Sequence, residues 1–306
     1  MAVELEPVPD RDAWESLCRR VGVVPWQQSW AYGAALARAG RPVRRLRLTD
    51  DGATLGLVQA VGRLGLGGRV GLWHALGGPL WCPGAATTGS AEALRALGRR
   101  LAGPGRRLLV TPALPPVRIA ASLRASGKRR VFTGYTTALL PLAASTERQL
   151  ARAHPDWRRV WPRPLPPGWR LELIDPRADP LALDDALMHH DAERRRRRYA
   201  AAPTWLVADA ARRGGALLAR ADGPGGLAAF MLFFRQGRSA SYEVGWTSDA
   251  GRRVHAHQRL LPAATARLRG DGVRVLDLGG LDVPAGIARF KLAAGGVPRT
   301  YAGTYL

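Results

Sequence analysis

The stretch that decides the fold of this chain lies in its last third. It reads Ser241-Tyr-Glu-Val-Gly-Trp246 and, further on, Val275-Leu-Asp-Leu-Gly-Gly280. Both patterns predict strands, and residues 254–268 between them predict a helix. A glycine-flanked basic loop, Gly286-Ile-Ala-Arg-Phe-Lys291, follows the second strand, and Tyr301-Ala-Gly-Thr-Tyr305 comes after it. Strand, helix, strand and basic loop therefore follow one another in quick order.

Both halves of the sequence predict alternating helices and strands. Before the quoted stretch, helices are predicted at residues 183–199 and 205–213, and strands at 171–174, 216–220, 227–235 and 239–246. In the first half, helices are predicted at 11–20, 28–39, 91–101 and 117–125, and strands at 43–48, 53–61, 107–111 and 131–140. The first half therefore repeats the order of the second in a looser form.

The length of the chain and its prolines predict two domains. A chain of 306 residues can bury two separate cores. Prolines are concentrated in residues 154–168, where they disfavour regular structure. These prolines are Pro155, Pro162, Pro164, Pro166 and Pro167. We therefore predict an N-terminal domain at 1–153, a proline-rich connection at 154–168 and a C-terminal domain at 169–306.

Three segments resemble the Fem family of peptidyltransferases, which includes FemA, FemB and FemX. The first is the stretch from Tyr242 to Tyr305, and the others are Pro25-Trp-Gln-Gln-Ser-Trp30 and Gly77-Gly-Pro-Leu-Trp81. Fem proteins carry an amino acid from aminoacyl-tRNA onto an amine, on two fused domains of the GNAT acyltransferase type. The resemblance implies a mixed α+β fold of two GNAT-like domains, each with a central mixed sheet flanked by helices. It also implies an enzyme that forms a peptide bond.

One departure from the Fem pattern concerns the acceptor. Many cell-wall Fem enzymes insert a long coiled-coil arm in the second domain, and residues 183–213 are too short for one. The acceptor could therefore be a natural product or another small amine-bearing molecule, or a cell-wall precursor. Two other functions stay open, namely an acyl-CoA-dependent N-acyltransferase of the GNAT superfamily and a non-catalytic GNAT-like module that binds RNA.

Lys291 and Asp277 are the predicted catalytic residues. Only two of the 46 basic residues are lysines, Lys128 and Lys291, so a lysine at 291 indicates a need for a compact ammonium group. The Phe290-Lys291 pair matches the pair that lies at the substrate pocket of Fem proteins. A solvated surface lysine is the alternative reading. Asp277 ends the last long strand and could either cap the next turn or contact substrate.

The other predicted site residues would bind substrate. Glu243 could face either a cleft or solvent, and Trp26 and Trp30 could instead pack in the core. The complete predicted substrate-binding set is Trp26, Gln27, Trp30, Glu243, His255, Arg289 and Phe290.

The helix after residue 251 lacks the signature with which GNAT enzymes bind acetyl-CoA. That signature is Arg/Gln-x-x-Gly-x-Gly/Ala, in which bare amides at a helix N-terminus bind the pyrophosphate. Here His255 and His257 occupy the two glycine positions. Their side chains should crowd a pyrophosphate, so a CoA donor is disfavoured. Two residues apart on a helix, the two histidines cannot face the same pocket.

The charge of the chain predicts a polyanionic partner. The formal net charge is +22, well beyond what solubility requires. Five consecutive arginines lie on a predicted helix, and we predict that they bind tRNA, although a solvated helix face is the alternative. They are Arg194, Arg195, Arg196, Arg197 and Arg198.

The remaining predictions concern absent features and location. The sequence has no nucleophile elbow, phosphate-binding Walker loop or zinc-protease motif. We therefore predict no metal and no cofactor, with aminoacyl-tRNA as co-substrate. Cys18 and Cys82 are too far apart in sequence for a paired motif, and neither a signal peptide nor a membrane-spanning segment is visible. A cytoplasmic location without stable membrane insertion is expected, and the oligomeric state is left open.

Overall fold

A computed structural model describes residues 3–85, 89–161, 163 and 165–306 of the chain. The chain divides into two compact units. The first comprises Met1–Thr137, Gln236–Ser239 and Arg299–Leu306, and the second comprises Ala138–Arg235 and Ala240–Pro298. The division falls before residue 138 and so lies upstream of the connection predicted at 154–168.

Helices and strands are both present along the whole described chain. Up to residue 132 they are β1 (Val3–Pro7), α1 (Arg11–Cys18), α2 (Trp30–Arg38), β2 (Val43–Asp50), β3 (Ala53–Gly65), β4 (Val70–Gly77), β5 (Leu80–Trp81), α3 (Ser90–Leu101), β6 (Arg106–Pro112), α4 (Pro116–Ala125) and β7 (Arg130–Phe132), with short 3-10 helices at Trp26–Gln28 and Leu66–Gly68. The later elements are β8 (Thr136–Pro141), α5 (Thr146–Ala151), α6 (Pro155–Val160), β9 (Arg170–Ile174), α7 (Pro180–Arg197), α8 (Thr204–Arg212), β10 (Ala216–Gly223), β11 (Gly226–Gln236), β12 (Ser239–Thr247), α9 (Asp249–Arg253), α10 (Ala256–Gly270), β13 (Val275–Gly280), α11 (Ala285–Ala293), β14 (Val297–Thr300) and β15 (Thr304–Tyr305).

The strands form two sheets. The order of the first is β1-β2-β3-β4-β6-β15-β7, with β5 beside β3, and the order of the second is β14-β8-β13-β12-β11-β10-β9. In the first sheet β4 and β6 are parallel, whereas β1, β2 and β3 pair antiparallel in sequence order. Strand β15 lies between β6 and β7, although it comes from the far end of the sequence. The predicted mixed sheets flanked by helices are therefore confirmed.

The core of the second unit forms around β11. Residues 229–233 of this strand are fully buried, as expected for a central strand covered on both faces. Helix α10 packs Leu260, Ala264 and Leu268 against this core. Burial of each large apolar side chain stabilises the fold by about 1.5 to 3 kcal/mol. This packing fixes β12, β13 and α10 relative to one another.

The start of α2 is fixed by a serine cap and a glutamine network. The Ser29 hydroxyl accepts a hydrogen bond from the Tyr32 amide at 3.1 Å, so the predicted N-cap is confirmed. Gln28 is fully buried, and its Nε2 donates to the carbonyls of Gln59 at 2.9 Å and Leu76 at 2.7 Å. Its Oε1 accepts from the Gln59 amide at 2.8 Å. These bonds give Gln28 a structural role in the first unit.

Three predicted elements outside residues 286–291 differ from the structure. Residues 131–140 form two strands, β7 and β8, in different sheets. Between these strands, Gly134 lies so close to Tyr301 that a Cβ would be 1.7 Å from its carbonyl oxygen. The proline-rich segment contains α6, because Pro155 occupies the first helical position, where no amide hydrogen is needed. The helix predicted at 254–268 begins at Ala256, because His255 adopts a left-handed conformation with φ of 53°.

The described residues contain neither a membrane-spanning helix nor a metal-binding group. None of the helices in this part of the chain combines the length and apolar character that crossing a bilayer requires. Within the same residues, His, Cys, Asp and Glu side chains form no group of three or more that could bind a metal ion. Cys18 and Cys82 are both free thiols.

Candidate functional site

Glu243 and Asp277 lie on neighbouring strands of the second sheet. Glu243 is in β12 and Asp277 is in β13, and the two strands are adjacent. Leu276 and Leu278 are buried in the core, so alternation along β13 directs Asp277 to the opposite face of the sheet. Ala240 in the same core directs Glu243 to that opposite face by the same rule. Both carboxyl groups therefore lie on one face.

Lys291 reaches this pair from helix α11. The sequence predicted a loop here, but the segment is helical, because α11 starts after Pro284 and continues to Ala293. Lys291 is only 6% exposed, so the alternative reading as a solvated surface lysine is wrong. Its Nζ donates a hydrogen bond to the Gly280 carbonyl at 2.7 Å, at the end of β13. The ammonium group is thereby held at the strand end that follows Asp277.

Neighbouring charges act on the pKa values of Glu243 and Lys291. Burial and the neighbouring Asp277 carboxylate raise the pKa of Glu243 to about 8, while the Lys291 ammonium opposes the rise. Burial lowers the pKa of Lys291, and the two carboxylates oppose that change. A carboxyl with a pKa near the working pH suits a general base or acid. Glu243, which the sequence placed among substrate contacts, is therefore the best candidate for proton transfer.

Asp277 also has a structural role at the strand end. Its Oδ1 accepts a hydrogen bond from the Gly279 amide at 2.8 Å. Gly279 has a φ of 83°, a left-handed conformation that favours glycine. A Cβ at this position would be 3.4 Å from the Lys291 ammonium nitrogen. The turn-capping reading of Asp277 is therefore confirmed, and its charge also acts on the other two groups.

A cavity of about 610 Å³ opens on another face of α11. Helix α11 contributes four residues of one face to the cavity wall, namely Gly286, Arg289, Phe290 and Ala293. The complete lining is Asp156, Trp157, Arg159, Val160, Arg163, His255, Gln258, Gly286, Arg289, Phe290 and Ala293. The predicted residues His255, Arg289 and Phe290 therefore meet at one cavity. Trp157, whose ring centroid is 5.0 Å from that of Phe290, was not predicted.

His255 and His257 have separate surroundings, as the sequence predicted. His255 is exposed and lines the cavity. His257 faces inward, where its Nε2 lies 3.1 Å from the Phe230 carbonyl oxygen and 3.0 Å from that of Trp246. Nε2 must carry the proton, since a carbonyl only accepts. His257 thus links α10 to β11 and β12, and burial lowers its pKa.

We expect His257→Ala to destabilise the protein by about 1 to 3 kcal/mol, because two buried carbonyls lose their donor. The lowered pKa means that the unfolded chain takes up a proton before the folded one does. Stability should therefore fall as the pH drops below about 6.5, and the variant should lose part of this dependence. Urea unfolding at about pH 5 and about pH 7.5 measures both effects. The exposed His255→Asn variant is the control, since asparagine tolerates a left-handed conformation.

The arginine run pairs largely with its own helix. Arg194 and Arg195 contact Asp191 at 2.7 and 2.6 Å. Arg196 contacts Glu193 at 2.6 Å, and Arg197 also pairs with Glu193. Arg198 ends α7 in a left-handed conformation with φ of 53°. The side chains of Arg195 and Arg196 are 77% and 66% exposed, so a partner can reach them.

The predicted residues near the N-terminus belong to the first unit. Trp26 is 1% exposed and packs in the interior, and the carbonyl of Gln27 accepts from Gln59 Nε2 at 3.0 Å. The guanidinium of Arg45 lies 3.7 Å from the ring centroid of Trp30. Burial lowers the pKa of Arg45 to about 10. The packing role foreseen for the tryptophans is confirmed for Trp26.

The chain is similar to known proteins in its fold, at low sequence identity. No protein-family model and no curated protein sequence matches the chain. FemX matches with a TM-score of 0.80 at 13% identity over 100% of this chain and 96% of FemX. L-PGS from Bacillus licheniformis matches with a TM-score of 0.56 at 14% identity over 98% and 92% of the two chains. A tandem GNAT protein from the clavulanic acid biosynthesis pathway matches with a TM-score of 0.52 at 19% identity over 99% and 98%. The chain therefore has the fold of FemX and of tandem GNAT proteins, as its sequence predicted.

Proposed function

We propose that this protein is an acyltransferase that moves an aminoacyl group from aminoacyl-tRNA to an amine, forming a peptide bond. The observation that carries the proposal is the cluster of Glu243, Asp277 and Lys291, in which one carboxyl has a pKa of about 8. The fold that the chain shares with FemX supports an acyl-transfer reaction. The acceptor would be a small amine-bearing molecule, a natural product or a cell-wall precursor.

The cluster offers a base for the acceptor amine, a cation for the oxyanion and an acid for the leaving oxygen. An ammonium acceptor must lose a proton before its nitrogen attacks the ester carbonyl, and ionised Glu243 can take that proton. The new C–N bond gives a tetrahedral intermediate whose oxyanion the Lys291 ammonium can stabilise. The C–O bond to the ribose then breaks, protonated Glu243 returns its proton to the leaving oxygen, and the excess proton on the new amide nitrogen is released to solvent. No covalent enzyme intermediate is required, because the ester is already activated.

The cavity beside α10 suits the anionic end of the donor. Arg159, Arg163 and Arg289 line it, together with the Trp157 and Phe290 rings. Guanidinium groups bind phosphate through paired donors, and aromatic rings stack on bases. The N-terminus of α10, a 15-residue helix, adjoins the same cavity at His255 and adds a positive dipole end. These features support a nucleotide-bearing donor.

A transfer assay tests the proposal. Purified protein is incubated with a pool of tRNA charged with labelled amino acids and with a panel of primary amines, and amide products are detected by mass spectrometry. We expect an amide product that depends on both charged tRNA and enzyme. The control is tRNA deacylated with mild base and supplied with free amino acids. An amide formed equally well with this control would show that the ester is not the donor.

A CoA thioester is the second candidate donor, because the same cavity and helix end could accept a pyrophosphate. We expect acetyl-CoA neither to raise the melting temperature nor to support transfer, since His255 occupies the position of a pyrophosphate-binding glycine. A ligand at 100 times its Kd would stabilise the fold by about 2.7 kcal/mol, which differential scanning fluorimetry detects. A clear shift that is lost with Arg289→Gln would favour the CoA-dependent enzyme.

The arginine run should contribute to tRNA affinity, and Arg195 and Arg196 are its two most exposed ion-paired members. We expect Arg195→Gln/Arg196→Gln to reduce the slope of log affinity against log salt by about 1.4 to 1.8, which corresponds to two phosphate contacts. Filter binding at several salt concentrations measures the slope. Arg118→Gln/Arg124→Gln on α4 removes the same charge from another exposed helix and serves as control. An equal loss in both double variants would indicate general attraction rather than contact by the run.

A further inference from the structure

A second pocket, of about 250 Å³, lies in the first unit. Its apolar part consists of Leu46, Trp73 and Leu101, which are all buried. Its polar part consists of Arg44, Arg100 and Arg106. These residues come from β2, β4, β6 and the last turn of α3, so four elements of one unit build the pocket. None of them belongs to the site described above.

Three guanidinium groups meet at this pocket without a balancing carboxylate. The lining contains no Asp or Glu, and among the described residues no ion pair involves Arg44, Arg100 or Arg106. Glu92, on the same helix as Arg100, is already paired with Arg95 at 2.9 Å and Arg99 at 2.8 Å. Three like charges around one pocket repel one another, and a bound anion would relieve the repulsion.

Arg106 has an unpaired donor, and Arg44 lies over the apolar wall of the pocket. The Nε of Arg106 is buried and has no hydrogen-bond partner in the described part of the chain. A buried donor without a partner costs about 1 to 3 kcal/mol, so a ligand that accepts from it is favoured. The guanidinium of Arg44 lies 5.8 Å from the ring centroid of Trp73, which places a cation over the apolar wall. Charged donors and an apolar wall therefore face the same space.

We propose that this pocket binds the phosphate of a nucleotide. Guanidinium forks match the oxygens of a phosphate, and the wall of Trp73 and the two leucines offers an apolar surface to the attached nucleoside. The volume of about 250 Å³ limits the occupant to one small unit rather than a folded partner. The nucleotide could be a free or substrate-linked mononucleotide, or one residue of an RNA strand. The proposal does not depend on the transfer reaction.

Calorimetric titration of the full-length protein tests this pocket. The probes are uridine and adenosine 5′-monophosphates, the two nucleosides without phosphate, inorganic phosphate, and a single-stranded oligoribonucleotide of about six residues. We expect both monophosphates to bind, the nucleosides to bind at least about tenfold more weakly, and Arg100→Gln to weaken monophosphate binding by about tenfold to a hundredfold. Arg106→Gln should act in the same direction, with circular dichroism to confirm its fold.

Arg99→Gln is the matched control, because Arg99 lies on the same helix, is 64% exposed and pairs with Glu92 outside the pocket. It should leave the affinity for monophosphates unchanged. If the ligand is a free nucleotide, the monophosphate itself should bind tightly. If the ligand is RNA, the oligomer should bind more tightly than the monophosphate, and Arg100→Gln should weaken that binding too. The proposal is overturned if nucleosides bind as tightly as monophosphates, if Arg99→Gln weakens binding as much as Arg100→Gln, or if no phosphate-bearing probe binds.

Discussion

Replacement of Glu243 by glutamine is expected to lower the rate of aminoacyl transfer by about 10²- to 10⁴-fold, the usual contribution of a positioned general base. The amide keeps the size of the side chain but cannot accept the proton of the acceptor amine. In the wild type, kcat/KM should rise as the pH passes through about 8 and level off above it, because the base form of Glu243 becomes the major form there. The variant should lose this rise, which rapid-quench measurements over a pH series would show.

Stability gives an independent check on the same carboxyl. The pKa of Glu243 in the folded protein, about 8, lies above the value near 4.3 expected for an unfolded chain. Its contribution to stability is therefore fully present below about pH 4.3 and is lost as the pH rises through about 8. Glu243→Gln should leave the melting temperature unchanged in acid and raise it by several degrees in alkali. A variant that retains the pH-dependent rise in rate would remove Glu243 from the reaction.

Replacement of Lys291 is expected to cost both activity and stability. Lys291→Met should slow transfer by about 10²- to 10³-fold, because it removes a positioned charge from the oxyanion. It should also destabilise the fold by about 1 to 3 kcal/mol, since the Gly280 carbonyl loses its donor. Lys291→Arg should be nearly as damaging, because a planar guanidinium is too large for a side chain that is 6% exposed. Single-turnover transfer and urea unfolding measure the two effects.

The other lysine of the chain supplies a matched control. Lys128 is also partly buried, and its Nζ donates to the Leu108 carbonyl at 3.2 Å. Burial lowers its pKa, but no carboxylate acts on it as Asp277 and Glu243 act on Lys291. Lys128→Met should therefore cost stability without affecting transfer. If Lys291→Arg keeps near-normal activity, any positive charge at this position is sufficient, and the compact ammonium group has no special role.

Periodicity was enough to locate most of the elements of the second unit. The three successive strands predicted at 216–220, 227–235 and 239–246 are present as β10, β11 and β12. Their apolar runs end at turn sequences, so the pattern along the chain is enough to locate these strands. The strands β14 and β15 were missed, because each is at most four residues long and depends on pairing with distant segments. Short strands carry too little pattern to be recognised alone.

The sequence by itself determined the residue types of the site, the tandem α/β order and the separation of His255 from His257. These features depend on spacing along one strand or one helix, which the chain carries locally. Only the tertiary structure decided that Lys291 is buried on a helix beside Glu243 and Asp277, and that the arginines of 194–197 pair with Asp191 and Glu193. Burial and charge coupling arise from neighbours distant in sequence or from side-chain geometry, and these set the pKa of Glu243. The sequence could therefore single out Glu243 as a candidate site residue, whereas its proton affinity requires the fold.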